Sequence, residues 1–168
     1  GREDVQLVIR IHPGELLTHG VSMSDVVNHV LPRLPEHIHL IRAEEKINTY
    51  DLIAAADVGL VYTTTVGLEM AMSGVPVIVS GNTHYRNRGF TIDPESWLRY
   101  YKELGIILSD PKTARLHKEQ IETAWAYAYR FFFDFPRPFP WHLHYLRNDY
   151  AQYPIQKVFS RSGKKQFG

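Results

Sequence analysis

The 168-residue chain has no cysteine. A disulfide scaffold, a thiolate zinc site and a cysteine nucleophile are excluded, and the composition suits a reducing compartment. Neither charge is in excess: 19 Lys and Arg stand against 18 Asp and Glu, for a net charge of +1. No overall basic field draws the chain to nucleic acid, and none is expected as a partner. Apolar runs stay far short of the ~18–20 residues that span a bilayer. Gly1-Arg2-Glu3-Asp4 leads into an apolar stretch without the pattern of a signal peptide, so the expected location is the cytoplasm. The chain also lacks GxGxxG, GxxxxGKS/T, HExxH and GxSxG, which sets aside the common phosphate-cradling loops and hydrolase signatures.

What is present is an ordinary globular balance, 44% hydrophobic and 22% charged, which excludes a disordered chain, a collagen-like repeat and a coiled coil. The length supports one core and is thin for two. Val5 to Ile11 is rich in β-branched residues and stops at His12-Pro13-Gly14, which predicts a buried strand and a turn. A helix is expected from an N-cap at Ser22 or Ser24 to about Leu34, before Pro35. His37 to Ile41 alternates as a second strand, and Thr49 to Ala56 reads as a short helix capped by Asn48 or Thr49. Val58 to Tyr62 is a third strand, Val66 to Met72 a helix closed by Gly74, and Val75 to Val79 a fourth strand ended by Gly81-Asn82. Pro94-Glu95 opens a helix that runs to Gly105, and a long helix is expected from Pro111 to Phe133. Strands alternating with helices at this spacing predict parallel β–α–β units and an α/β, doubly wound parallel sheet.

In such a sheet, ligands bind beyond the carboxyl ends of the strands. That rule selects the segments Arg10 to Glu15, Ala43 to Tyr50, Thr63 to Glu69 and Gly81 to Gly89. Thr63, Thr64 and Thr65 place hydroxyl donors beside the N–H groups of a helix start, which suits a phosphate; they equally suit a strand end and an N-cap. Gly67 in the first turn lets a ligand approach the backbone. Glu69 can accept both hydroxyls of a ribose, or can be a surface carboxylate favoured by the helix dipole. Arg10 and His12 fall on one side of the first strand by alternation and can hold a phosphate or a developing negative charge; a structural role for the histidine is the alternative. Tyr85, Arg86 and Arg88 lie in a loop where an arginine can meet an anionic sugar or remain a solvated charge. His142 and His144 are two ligands at i, i+2 without a third, and adjacent Glu44 and Glu45 diverge, so neither pair is assigned chemistry.

The aromatics are unevenly spread: of 21 in the chain, 10 fall between Trp125 and Tyr145. The chain from Arg147 onward adds Arg147, Lys157, Arg161, Lys164 and Lys165 against the single acid Asp149, which predicts a loosely ordered basic tail over 147–168 after a domain over 1–146.

Joined in order, His12-Pro13, Tyr50 to Asp57, Thr63 to Glu69, Gly74 to Gly81 and His84 to Thr91 form a pattern that covers about residues 5–105. It resembles the C-terminal half of the bacterial capsule polysaccharide synthesis and export proteins that include Kdo transferases. These look like glycosyltransferases of the GT-B type, with two Rossmann-like domains facing a cleft. The resemblance implies a nucleotide-sugar-binding domain, one half of a GT-B fold with C-terminal helices, that serves transfer to a capsular or cell-surface glycan. It implies that His12-Pro13 contacts the donor phosphate, that Thr63, Thr64 and Thr65 contain the phosphate-binding hydroxyl pair, and that Glu69 holds the ribose. The loop 43–48, with Glu45 and Asn48, would border the base, with Tyr85 and Arg86 as further base or sugar contacts. Arg10 stands where many relatives place Lys. Similar enzymes need no metal, so no metal or other cofactor is expected beside a CMP- or UDP-linked donor. The N-terminal acceptor domain, which supplies the general base, is the implied missing partner, and this chain alone is expected to bind donor without turnover.

Trp125 to Tyr145 then reads either as an interface to that partner or as closure of the domain's own core. A GT-B-fold nucleotide-sugar epimerase is the alternative enzyme. The other alternative is a non-catalytic module whose basic, aromatic C-terminus makes peripheral contact with the inner face of the membrane.

Overall fold

A computed structural model describes residues 3–17 and 19–136. The basic tail over 147–168, His142 and His144 lie outside the described residues. The fold is mixed α/β, and its residues gather into two compact units, one ending at Ala56 and the other beginning at Asp57.

The first unit runs β1 (Leu7–Arg10), a 3-10 turn (Pro13–Leu17), α1 (Met23–Val30), β2 (Ile38–Ile41) and α2 (Thr49–Ala55). β1 and β2 pair in parallel, with Leu7 opposite Ile38 and Arg10 opposite Ile41, and the ladder continues through Ile11 N–H to Ile41 O at 2.9 Å. The caps are those the sequence implies: the Ser22 hydroxyl accepts from Asp25 N–H, and the Asn48 side chain accepts from Tyr50 N–H. β1 is shorter than the predicted strand and is not buried, with Leu7 38% and Val8 46% exposed. The reason is pairing: among the described residues β1 has a single strand neighbour, and the unit's buried apolar residues are Ile11, Ile41, Ala43 and Ile53 instead. The 3-10 turn starts at Pro13, whose missing N–H costs nothing at a first helical position.

The second unit runs β3 (Gly59–Val61), α3 (Val66–Met72), β4 (Val77–Val79), α4 (Trp97–Ser109) and α5 (Lys118–Tyr129), which continues as a π-helical turn over Arg130–Asp134. β3 and β4 are parallel, with Gly59 opposite Val77 and Val61 opposite Val79. β4 begins at Val77 because Pro76 has no N–H to donate to the ladder; its carbonyl accepts from Gly59 at 2.9 Å. On its other side β4 bonds to Ile92, which donates to Val77 O and accepts from Val79 N–H. Val77, Ile78 and Val79 are wholly buried among Leu68, Ala71, Val75, Tyr85 and Phe90. This is the continuous apolar strand that a two-sided cover demands. α3 closes at Gly74, whose φ of +78° is the left-handed conformation favoured after a helix end.

Several helix boundaries differ from the predicted ones: α1 ends at Val30 rather than near Leu34, and α4 starts at Trp97, after its Ser96 cap, rather than at Pro94-Glu95. α4 does not stop at Gly105 but runs through Ile106, Ile107 and Leu108, because Ile107 carries the helix's buried face. It ends at Asp110, whose φ of −149° and ψ of 81° lie outside the helical region that the following Pro111 disfavours. α5 does not begin at Pro111. Residues 110–117 form a turn in which the Asp110 carboxylate accepts from Thr113 N–H and Thr113 Oγ1, and the helix starts after His117, whose N–H is taken by the Gln120 side chain.

Candidate functional site

In the first unit, the residues selected at the strand ends largely hold each other. Arg10 donates from Nη1 to Arg42 O at 2.7 Å and from Nη2 to Glu45 O at 3.3 Å, while its Nε is buried without a partner. Its guanidinium thus orders the loop after β2. Glu45 accepts from Arg42 N–H at 2.6 Å and closes that turn, and Asn48 is occupied as the α2 cap. His12 is exposed, and its Nδ1 accepts from Gly14 N–H at 2.9 Å. With Nδ1 an acceptor, the neutral imidazole carries its proton on Nε2, leaving an outward donor. A Cβ on Gly14 would stand 2.8 Å from His12 Nδ1, so the exposed ring would have to shift.

A cavity of about 210 Å³ opens at the carboxyl ends of β1 and β2, lined among others by Glu15, Ser22, Asp25, Arg42 and Glu44. Glu15 accepts from Met23 N–H at 2.9 Å and so sets the start of α1 beside it. Sequence reasoning passed over Ser22, Asp25 and Arg42 as ligand groups. The available signal was positional: Arg42 follows β2 at once, and Ser22 and Asp25 open the next helix.

In the second unit the three threonines part company. Thr64 Oγ1 accepts from Val66 N–H at 3.3 Å and its carbonyl accepts from Gly67 N–H, so it serves the turn. Leu68 and Glu69 N–H groups both go to Thr65 O. The helix-start N–H groups are therefore satisfied within the chain. The groups left for a ligand are the exposed Thr63 and Thr65 hydroxyls, which have no partner among the described residues. Glu69 is half-buried, and among the described residues its carboxylate likewise has no partner. Thr65 and Glu69 stand at i and i+4, on one face of α3.

Gly67 and Tyr85 have a different role from the one the sequence suggested. A Cβ on Gly67 would collide with Tyr85 Oη, so the close approach that glycine permits here is made by the chain's own tyrosine. Tyr85 is wholly buried and donates to Thr64 O at 2.6 Å. Burial pushes its hydroxyl above the ordinary value of 10.0, so it stays a donor at neutral pH. It presents no atom to a base or sugar and instead props the threonine turn. Arg86 is likewise spent: it donates to Gly81 O at 2.9 Å and Pro94 O at 2.7 Å, with Asp93 3.9 Å from its Nε. Arg88 lies over the Tyr127 ring at 5.7 Å and remains exposed.

The aromatic segment divides. Phe131 stacks on His84 at 3.8 Å, and Tyr127 donates to His84 O and meets Phe90, so these two close the unit's own core. Because the Tyr127 proton goes to that carbonyl, His84 Nδ1 donates back to Tyr127 Oη at 3.0 Å. Burial holds His84 below its usual value of 6.5.

Among the described residues no group of three His, Cys, Asp or Glu side chains could hold a metal ion, and no helix is long and apolar enough to cross a membrane. No family model, curated protein or solved structure matches the chain.

Proposed function

We propose that the chain is the donor-binding part of a GT-B-type glycosyltransferase, its parallel β–α–β units belonging to a Rossmann-like, doubly wound half of that enzyme. It would hold a CMP- or UDP-linked sugar while a glycan acceptor and a catalytic base are supplied by a partner domain. The observation that carries this reading is the Thr65–Glu69 pair. A hydroxyl and a half-buried carboxylate, both without a partner among the described residues and one turn apart on α3, match the spacing of a nucleotide's phosphate from its ribose hydroxyls, since i, i+4 side chains stand about 5–6 Å apart at Cβ.

Each residue then has a task. Glu69 accepts from the ribose hydroxyls, a charge-assisted bond that discriminates ribose from deoxyribose. Thr63 and Thr65 donate to phosphate oxygens and so supply fixed donors to the charge that develops on the leaving nucleotide. Arg10, Tyr85, Gly67 and Arg86 keep the loops in place. In this reading the leaving group is stabilised by fixed donors rather than by a metal.

Calorimetric titration of the chain with CMP, UDP, GDP and ADP tests it. One pyrimidine nucleotide should bind selectively. Glu69→Gln should weaken it about 10–100-fold, the equivalent of about 1.5–3 kcal/mol for a hydrogen bond to a charged group. The 2′-deoxy nucleotide should lose most of that difference between wild type and variant. Equal loss for ribo- and deoxyribonucleotide would remove Glu69 from the ribose, and equal affinity of all variants would end the reading.

A further inference from the structure

α5 presents a second surface that the nucleotide reading does not use. Trp125, Tyr129, Phe132 and Phe133 follow at i, i+4, i+7 and i+8 and are 57%, 60%, 51% and 73% exposed, and Phe135 beyond them is 78% exposed. The opposite side is closed: Ala124 and Ala128 are buried, and Tyr127 and Phe131 pack on His84. Four large aromatics exposed along α5 and the turn that continues it form an apolar stripe of the kind that marks an interaction surface. Trp125 is also held in place, its indole N–H donating to Met72 O at 3.1 Å.

We propose that this stripe is a membrane-docking face, seated in the headgroup region of an anionic bilayer. Trp and Tyr have an apolar body and a polar edge, the combination that suits the boundary between headgroups and acyl chains. The Lys118–Glu122 pair lies before the stripe, and within it Arg130 and Asp134 are the charges. The chain that continues from the end of the stripe carries six Lys or Arg over 137–168 against the single acid Asp149. An aromatic face and a run of cationic residues in the same chain provide the two signals that stable interfacial anchoring needs, each Lys or Arg adding to attraction by anionic lipid. The same charge argues against a second copy as the occupant, because pairing two stripes would bring two cationic segments together.

The test is cosedimentation of the full chain with phosphatidylcholine vesicles, with and without phosphatidylglycerol, at low and high salt. Binding should require phosphatidylglycerol and weaken with salt. Phe132→Ser with Phe133→Ser should reduce it at least about tenfold, and both rings are exposed enough that the thermal midpoint should not move. Tyr129→Ser gives an independent reading should the double variant unfold. With Trp97→Phe and Trp141→Phe leaving Trp125 as the lone indole, acyl-brominated lipid should quench its fluorescence. Absence of wild-type binding, unchanged binding of a folded variant, or an unquenched Trp125 overturns the proposal. So does a solution dimer that the double variant dissociates, which would assign the stripe to a second copy.

Discussion

At the scale of single residues, the contact between Gly67 and Tyr85 makes the sharpest prediction. Gly67→Ala places a methyl against Tyr85 Oη inside a buried turn, which should cost about 1–3 kcal/mol in urea unfolding. Tyr85→Phe removes one of the two donors to the Thr64 carbonyl and should cost about 0.5–1.5 kcal/mol. The double variant should be clearly less destabilised than the sum, because removing the hydroxyl makes room for the methyl. Strict additivity would mean that the two residues do not meet. His84 makes a pH prediction. Burial lowers its folded pKa below the ordinary 6.5, so the neutral ring favours the fold. That contribution is present above pH 6.5 and is lost as pH falls below it. The thermal midpoint of the wild type should therefore drop more between neutral and mildly acid pH than that of His84→Gln. A sequence shows that a glycine and a tyrosine exist; that the tyrosine, 18 positions later, fills the space the glycine leaves is a property of packing alone.

At the scale of elements, caps and strand cores were legible, while helix extents were not. Ser22 and Asn48 announce α1 and α2 because an N-cap acts within its own turn. Gly105 looks like a helix end, yet α4 continues for four residues because burying Ile107 outweighs the local cost of glycine. Gly105 has an ordinary negative φ, and a Cβ there meets open space. Gly105→Ala should therefore stabilise the protein by about 0.5–1 kcal/mol, read as a raised midpoint in urea. Destabilisation would show that the helix ends at that residue after all.

At the scale of the molecule, the two units differ in how much they bury. The second encloses β4 with Tyr85 and Phe90, whereas no residue of α1 in the first is buried. Amide exchange should follow this difference, with Val77, Ile78 and Val79 slowest and α1 among the fastest. Protection of α1 equal to that of β4 would show one cooperative unit in place of two levels of stability.

By itself the sequence determined the α/β class, the parallel order of strands and helices, and the segments that follow the strand ends. Each of these follows from local periodicity, punctuation by Gly and Pro, and the handedness of β–α–β connections. Tertiary structure alone decided which of those residues remain free. Arg10, Thr64, Tyr85 and Arg86 proved to be occupied with backbone carbonyls or N–H groups, while the Thr63 and Thr65 hydroxyls, the Glu69 carboxylate and His12 Nε2 have no partner among the described residues. Only folding could make that division, because a polar group's partners are set by what the chain brings beside it, 35 residues away in the case of Arg10 and Glu45.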